Sequence, residues 1–359
     1  KFAALLPERR FRVDREVAAD FPHLPAGCSI HLEKQARRHV LENIKRHYSN
    51  LQVAVTESIK SFESETELPL TFANFVQESG YEAHQLLGKM TWSQWKAKAG
   101  IKDTQVIREP KALRYGVTRT SLLKAPTFIE TVNRFAEAGD PAELTDLEKI
   151  RLHYLLRQKS GKNSEFADVD ESLKAAAEHS DILNDLQEVS EWANDNAVPT
   201  HLEPNGFELH GTYTAVDINV VMGKATYLSP GQIGLGVVHF EKRKAFALLM
   251  TFQKSEKDFS PSTMYEDYPI SRTRIHWQSQ NDTTPDSPNG RRLTQHEDHG
   301  YTILIFARHV KSEFGVSLPF TFLGEASIVD FHGSRPITCQ WDLQHPMPWD
   351  LYEQSRVGG

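Results

Sequence analysis

The chain has 359 residues, 39% hydrophobic and 25% charged, with a formal net charge of −7. Its length exceeds one ordinary domain, and its acidity excludes a protein that coats nucleic acid by bulk electrostatics. No apolar run could span a bilayer, the first residues lack a signal-peptide core, and Cys28 and Cys339 alone cannot build a disulfide framework or a Cys-type zinc site.

Both thiols are expected to be reduced and structural, in a cytoplasmic protein. The chain opens at Lys1 in mid-pattern without an initiator Met, as a piece of a larger protein would. Residues 1–28 are a basic lead-in that Pro22, Pro25 and Gly27 bring to a stop. Leu32, Ala36, Val40, Leu41, Ile44 and Tyr48 then recur at helical spacing, with Arg37, Arg38 and Lys45 away from that stripe as a secondary basic patch. His31, His39 and His47 are spaced by eight without a carboxylate pattern, which gives no metal motif.

Residues 68–100 read as short helices punctuated by Gly80, Gly88 and Gly100, with Trp92 and Trp95 on one face for core packing. Helical patterns continue over 117–137, 143–158 and 168–194, and Thr145 is placed to cap the second of these. Pro199 and the Pro204-Asn205-Gly206 turn end this regime. Strand-like runs follow, at 207–216, 234–240, 244–254, 300–310, 320–333 and 337–343, with a short rim helix at 215–223. Closely spaced strands with Ser-Pro-Gly and Asn-Gly turns predict a compact barrel or sandwich.

Within this region, Tyr265–Asn281 stands out. Arg272, Arg274, His276, Gln278 and Gln280 alternate with Thr273, Ile275, Trp277 and Ser279, so a strand here carries one stripe of hydrogen-bonding groups. Such donors suit phosphates and base edges, and they equally suit a solvated outer sheet face. Strict alternation puts Trp277 opposite His276, in the core. Tyr265, Asp267 and Trp277 are the candidate base pocket, and Arg291 and Arg292 follow Asn289-Gly290 at a predicted turn as phosphate contacts.

Catalytic signatures are missing from the sequence. There is no G-x-x-x-x-G-K-[ST] loop, GQIGLG at 231–236 lacks the Lys, and the phospholipase-D pattern begun by His309 and Lys311 fails at Val316. Lys254, Glu256, Asp258 and Asp267 leave a metal-dependent nuclease open, in a reversed order and with generic spacing.

Several phrases together resemble a known family. FPHLPAGCSIHLEKQARRHVLENIK is similar to the segment after the second motor domain of bacterial superfamily-two, DEAD/DEAH-box-like helicases. LHGTYTAVDINVVMG, TFQKSEKDFSPSTMYEDYPISRTRIHWQSQN, YTILIFARHV and PFTFLGEASIVDFHGSRPITCQWDLQHPMP are similar, in order, to the C-terminal domain of those helicases. The resemblance covers nearly the whole chain. It implies an upstream ATPase motor, often a phospholipase-D-like nuclease, and a restriction or antiphage setting, with ATP and magnesium used only by that motor. One departure is local. Where the family tends to have Tyr-Ser-Arg-x-Glu-Ile, this chain has Tyr213, Thr214, Ala215, Val216, Asp217 and Ile218, so the acidic position is kept as Asp217 and the basic one is not.

The expectation is an α+β protein: a basic segment and helix at 1–66, a helical bundle at 67–198, a β-rich domain at 205–348 and a tail at 349–359. Its expected role is a helicase C-terminal region that binds DNA and inspects a base or its modification, without a cofactor of its own. A docking module for the motor or nuclease is the alternative from another class.

Overall fold

The computed structural model describes residues 51–87, 90–102, 104, 125–156, 161, 164–197, 201–232, 236–253, 267–313 and 316–356. Arg37, Arg38, Lys45, the three histidines at 31, 39 and 47, Lys254, Glu256, Asp258 and Tyr265 lie outside these residues.

The chain is α+β. Its helical part runs through α1 (Leu51–Glu65), α2 (Phe72–Ser79), α3 (Ala83–Leu87), α4 (Trp92–Lys98), α5 (Pro126–Ala138), α6 (Asp146–Leu156), α7 (Val169–Ala177) and α8 (Ser180–Asp195). Side-chain caps start several of them. Thr71 accepts from Asn74 N–H, Thr91 and Gln94 form a reciprocal capping box, and Asp168 accepts from Glu171 N–H. The single pattern read over 168–194 is two helices, broken at Glu178–His179.

Aromatic rings fill this bundle: Phe72 and Phe75 pack on Trp92, and Trp95 donates its indole N–H to Leu86 C=O at 2.8 Å. Both tryptophans are fully buried, as core residues. Asp185 is buried beneath the start of α4, where it accepts from the backbone and hydroxyl of Ser93. Burial outweighs these bonds and pushes its pKa up to about 6.

The β part is one curled sheet of β1 (Thr212–Tyr213), β2 (Val237–Phe240), β3 (Ala245–Gln253), β4 (Tyr268–Pro269), β5 (Arg274–Gln278), β6 (Thr302–Val310), β9 (Phe320–His332) and β10 (Thr338–Leu343); the short β7 (Ser312–Glu313) and β8 (Val316–Ser317) pair apart from it. The order is β2-β3-β6-β9-β10-β5-β4, with β1 on β9. Among the described residues, only β3 and β6 pair in parallel. β4 comes back beside β3 without pairing to it, so the sheet curls but does not close. Of the expected barrel or sandwich, the barrel is corrected to an open mixed sheet, whose parallel pair needs a long crossover that a simple meander lacks.

Both faces of the central strands are buried. Phe246, Leu248, Ile303, Ile305, Trp277 and Trp341 share one core with Leu293 of α10 (Pro288–Thr294) and Leu351 of α11 (Trp349–Arg356). Ala247, Leu304, Phe306 and Phe322 share the other with Phe207, Tyr213 and Ile218, the last on α9 (Ala215–Val221). This two-sided burial explains why AFALLM and ILIFA read as unbroken apolar runs. Residues 349–356, placed by the sequence in a tail, form α11.

Helix α6 joins the two parts. Residues Arg151 to Leu156 are buried in succession, because Tyr154 packs on Val216, Val220 and Ala225 while Leu152, Leu155 and Leu156 face the bundle. Arg151, 8% exposed, lies with its guanidinium 4.1 Å from the Phe128 ring and 5.3 Å from Tyr213, and its Nε is 4.0 Å from Asp217. Asp217 thus meets a cation from the helical part. Tyr154 Oη donates to Thr226 C=O at 2.8 Å, and Thr127 N–H donates to Glu208 at 2.8 Å, across the same junction.

Candidate functional site

The stripe read from the sequence is present on β5. Ile275 and Trp277 point into the core, and Arg274, His276 and Gln278 are half-buried on the opposite face. Pairing extends the stripe across the sheet, since Arg274 stands opposite Asp342, His276 opposite Gln340 and Gln278 opposite Thr338. On β9, Asp330 continues the Gln340 row and His332 the Thr338 row, both exposed. The apolar layer over β2, β3 and β6 stops short of these side chains.

On the other side of β5, Tyr268 of β4 pairs with His276, and their rings stack at 4.4 Å with planes 11° apart. Tyr268 is 44% exposed, so one face of the stack is covered by imidazole and the phenol remains open to solvent. Aromatic surface of this kind usually goes inside.

The arginines of the stripe are already engaged. Arg274 makes a two-pronged pair with Asp342, Nε to Oδ1 at 2.6 Å and an Nη to Oδ2 at 2.8 Å. These hydrogen bonds raise the guanidinium's pKa and hold the carboxylate below its usual range. Arg272 lies outside the strand; its Nε donates to Met347 C=O at 2.9 Å, and its guanidinium sits 5.4 Å from the Trp349 ring. It tethers the segment leading into α11. Gln280 also lies beyond the strand's end.

Other predicted residues fall elsewhere. Trp277 is 3% exposed and packs on Trp341, so it belongs to the core and not to an accessible base pocket. Asp267 is buried and accepts from Gln278 N–H at 3.2 Å, satisfying backbone at the strand's end. Arg291 and Arg292 are on helix α10 and not on a turn, because Ser287 caps Gly290 N–H and Pro288 opens the helix. A Cβ at Gly290 would stand 1.9 Å from Thr284 C=O, so only glycine lets that helix start so close to the preceding turn. Arg291 Nε donates to Asp286 C=O, and Arg292 lies 5.9 Å from the Tyr301 ring.

Sequence reading missed Tyr268. The signal was present: counting back across the Ile270–Thr273 turn from His276 reaches Tyr268 as its partner, three residues past the Tyr265 that was singled out. Among the described residues, no group of three His, Cys, Asp or Glu is placed to share a metal ion, and no helix is long and apolar enough to cross a membrane.

Residues 207–355 match the model of a family described as a domain of unknown function (DUF3427). The match takes in the whole sheet and nearly all of α11, and leaves the helical part outside it. No curated protein matches the chain.

Proposed function

We propose that the β part is a nucleic-acid-binding module that takes an unpaired base on Tyr268 and reads its edge with the neighbouring amides. The observation that carries this reading is the Tyr268–His276 stack, with Tyr268 44% exposed, on a polar sheet face that the apolar layer of the described residues does not reach. A base has an apolar π-face and a hydrogen-bonding rim; stacking on an aromatic side chain contributes about 1–3 kcal/mol per base. Gln278 and Gln340 flank the stack and carry both donors and acceptors, which suits a base edge. The resemblance to helicase C-terminal regions supports DNA as the polymer and a motor in the same protein as its source of unpaired strand. In this reading Arg274 holds the face in shape against Asp342 and contributes little direct attraction for phosphate.

The test is fluorescence anisotropy of the whole chain with single-stranded, duplex and base-modified DNA at two salt concentrations. A preference for unpaired or modified DNA is expected. Absence of binding to all three at low salt would overturn the reading.

One observation favours a docking surface for a motor or nuclease instead. Asp330 and Asp342 lie on the same face and offset its cations, as suits a neutral protein interface. Failure to bind DNA together with retention on the motor would select it.

A further inference from the structure

The chain is acidic overall, yet one edge of its sheet gathers unpaired cations. β2 is the first strand of the sheet and reaches β3 through a single short turn, Glu241–Lys244. That turn exposes Lys242, Arg243 and Lys244 in succession. Lys224, just past α9, lies with its Nζ 5.5 Å from the Phe240 ring at the end of β2. Arg292 of α10 arrives from the other face and rests on Tyr301.

Two half-buried rings tie these segments together. His239 Nε2 is 3.2 Å from Tyr301 Oη, and the imidazole stacks on Phe246 at 4.5 Å. Burial and then Arg292 lower the pKa of His239, Glu241 opposes them, and Lys224 adds a smaller lowering, so charges distant in sequence act on one imidazole. Lys244 lies beside the 295–300 turn, its Nζ 3.9 Å from where a Cβ on Gly300 would stand.

Among the described residues, none of these five cations has a carboxylate partner, and Glu241, Glu297 and Asp298 on the same segments make no ion pair with them. They are displayed along an edge and do not converge on a pocket. An extended polyanion, with successive phosphates each met by one side chain, matches this display better than a compact phosphate ligand does.

We propose that the β2 edge, through Lys224, Lys242, Arg243, Lys244 and Arg292, holds the sugar–phosphate backbone of the nucleic acid whose base meets Tyr268. This inference rests on the reading of the β part as a DNA-binding module and names the surface that would supply its affinity.

The test is the salt dependence of binding to a labelled single-stranded oligonucleotide, using the whole chain. Wild type is compared with Lys242→Ala/Arg243→Ala, the charge reversal Lys242→Glu/Arg243→Glu, and a control, Lys60→Ala/Lys98→Ala, in the helical part. Each phosphate contact contributes roughly 0.7 to the slope of log K against log salt, so the alanine pair should flatten the slope by about 1.4 and the reversal should weaken binding further. The control should leave both unchanged. Unchanged slopes in both edge variants, with binding still sensitive to Tyr268→Ala, would overturn the edge and leave the base-stacking reading standing. No binding by wild type would remove both.

Discussion

The helical and sheet parts differ in how they place charge and aromatic surface. In the helical part, Lys60, Lys96, Arg134 and Lys149 each have a carboxylate partner, and Phe72, Phe75, Trp92 and Trp95 are all buried. Glu148 shows how thoroughly such groups are used: burial works against its charge, but hydrogen bonds from Thr145 and Thr131, with Arg134, outweigh it and lower its pKa. In the sheet part, Tyr268 and Trp349 remain exposed and a row of cations has no carboxylate partner among the described residues. Interior-directed chemistry holds a fold together; chemistry left facing water is available to a partner. In the proposed reading, the sheet carries the binding surface and the helices brace it.

Breaking the helical core should have the largest effect. Trp95→Ala removes a fully buried indole and its hydrogen bond, and should cost about 3–5 kcal/mol in urea unfolding. Next comes the junction. Arg151→Ala removes the guanidinium packed on Phe128 and Tyr213 and the cation 4.0 Å from Asp217, at a cost of about 1–3 kcal/mol, and should split unfolding by urea into two transitions. A single transition with an unchanged midpoint would show that Arg151 does not couple the two parts.

A smaller effect concerns pH. Asp185 has a folded-state pKa of about 6 against an ordinary 3.8, so the folded state binds the extra proton in that window. Stability from this group is therefore highest below about pH 4 and falls as pH rises toward 6, then levels off, with a span on the order of 2–3 kcal/mol. Asp185→Asn should remove that decline. The comparison is the difference between variant and wild-type urea midpoints at pH 4.5 and pH 7; an equal difference at both would contradict the assignment. The smallest effect is on the open face, where Arg274→Ala should leave the melting temperature nearly unmoved because its pair with Asp342 is exposed to solvent.

Much of this architecture was legible in the residues. Alternation in RTRIHWQ placed Ile275 and Trp277 inside and Arg274, His276 and Gln278 outside, because a half-buried strand has a period of two. Thr145 was readable as a cap at the head of its helical run, and it accepts from Glu148 N–H there. What stayed hidden depends on contacts distant in sequence. Helix α6 is buried by two different neighbours on different sides, which erases its amphipathic pattern and concealed Arg151. The open sheet could not be told from a barrel, since strand count and turns do not say which edges meet. Arg274 looked available until its cross-strand partner, Asp342, was known, and Arg292 and Lys224 act on the same imidazole, His239, from positions far apart in sequence.

The measurement that tests the account most directly compares wild type, Tyr268→Ala and Tyr268→Trp for affinity to a single-stranded oligonucleotide, alongside their melting temperatures. The account predicts that alanine weakens binding about tenfold, consistent with loss of one stacked base, that tryptophan restores it, and that all three melt alike. Equal affinities across the three, with binding otherwise intact, would contradict it and take the nucleic acid off this face.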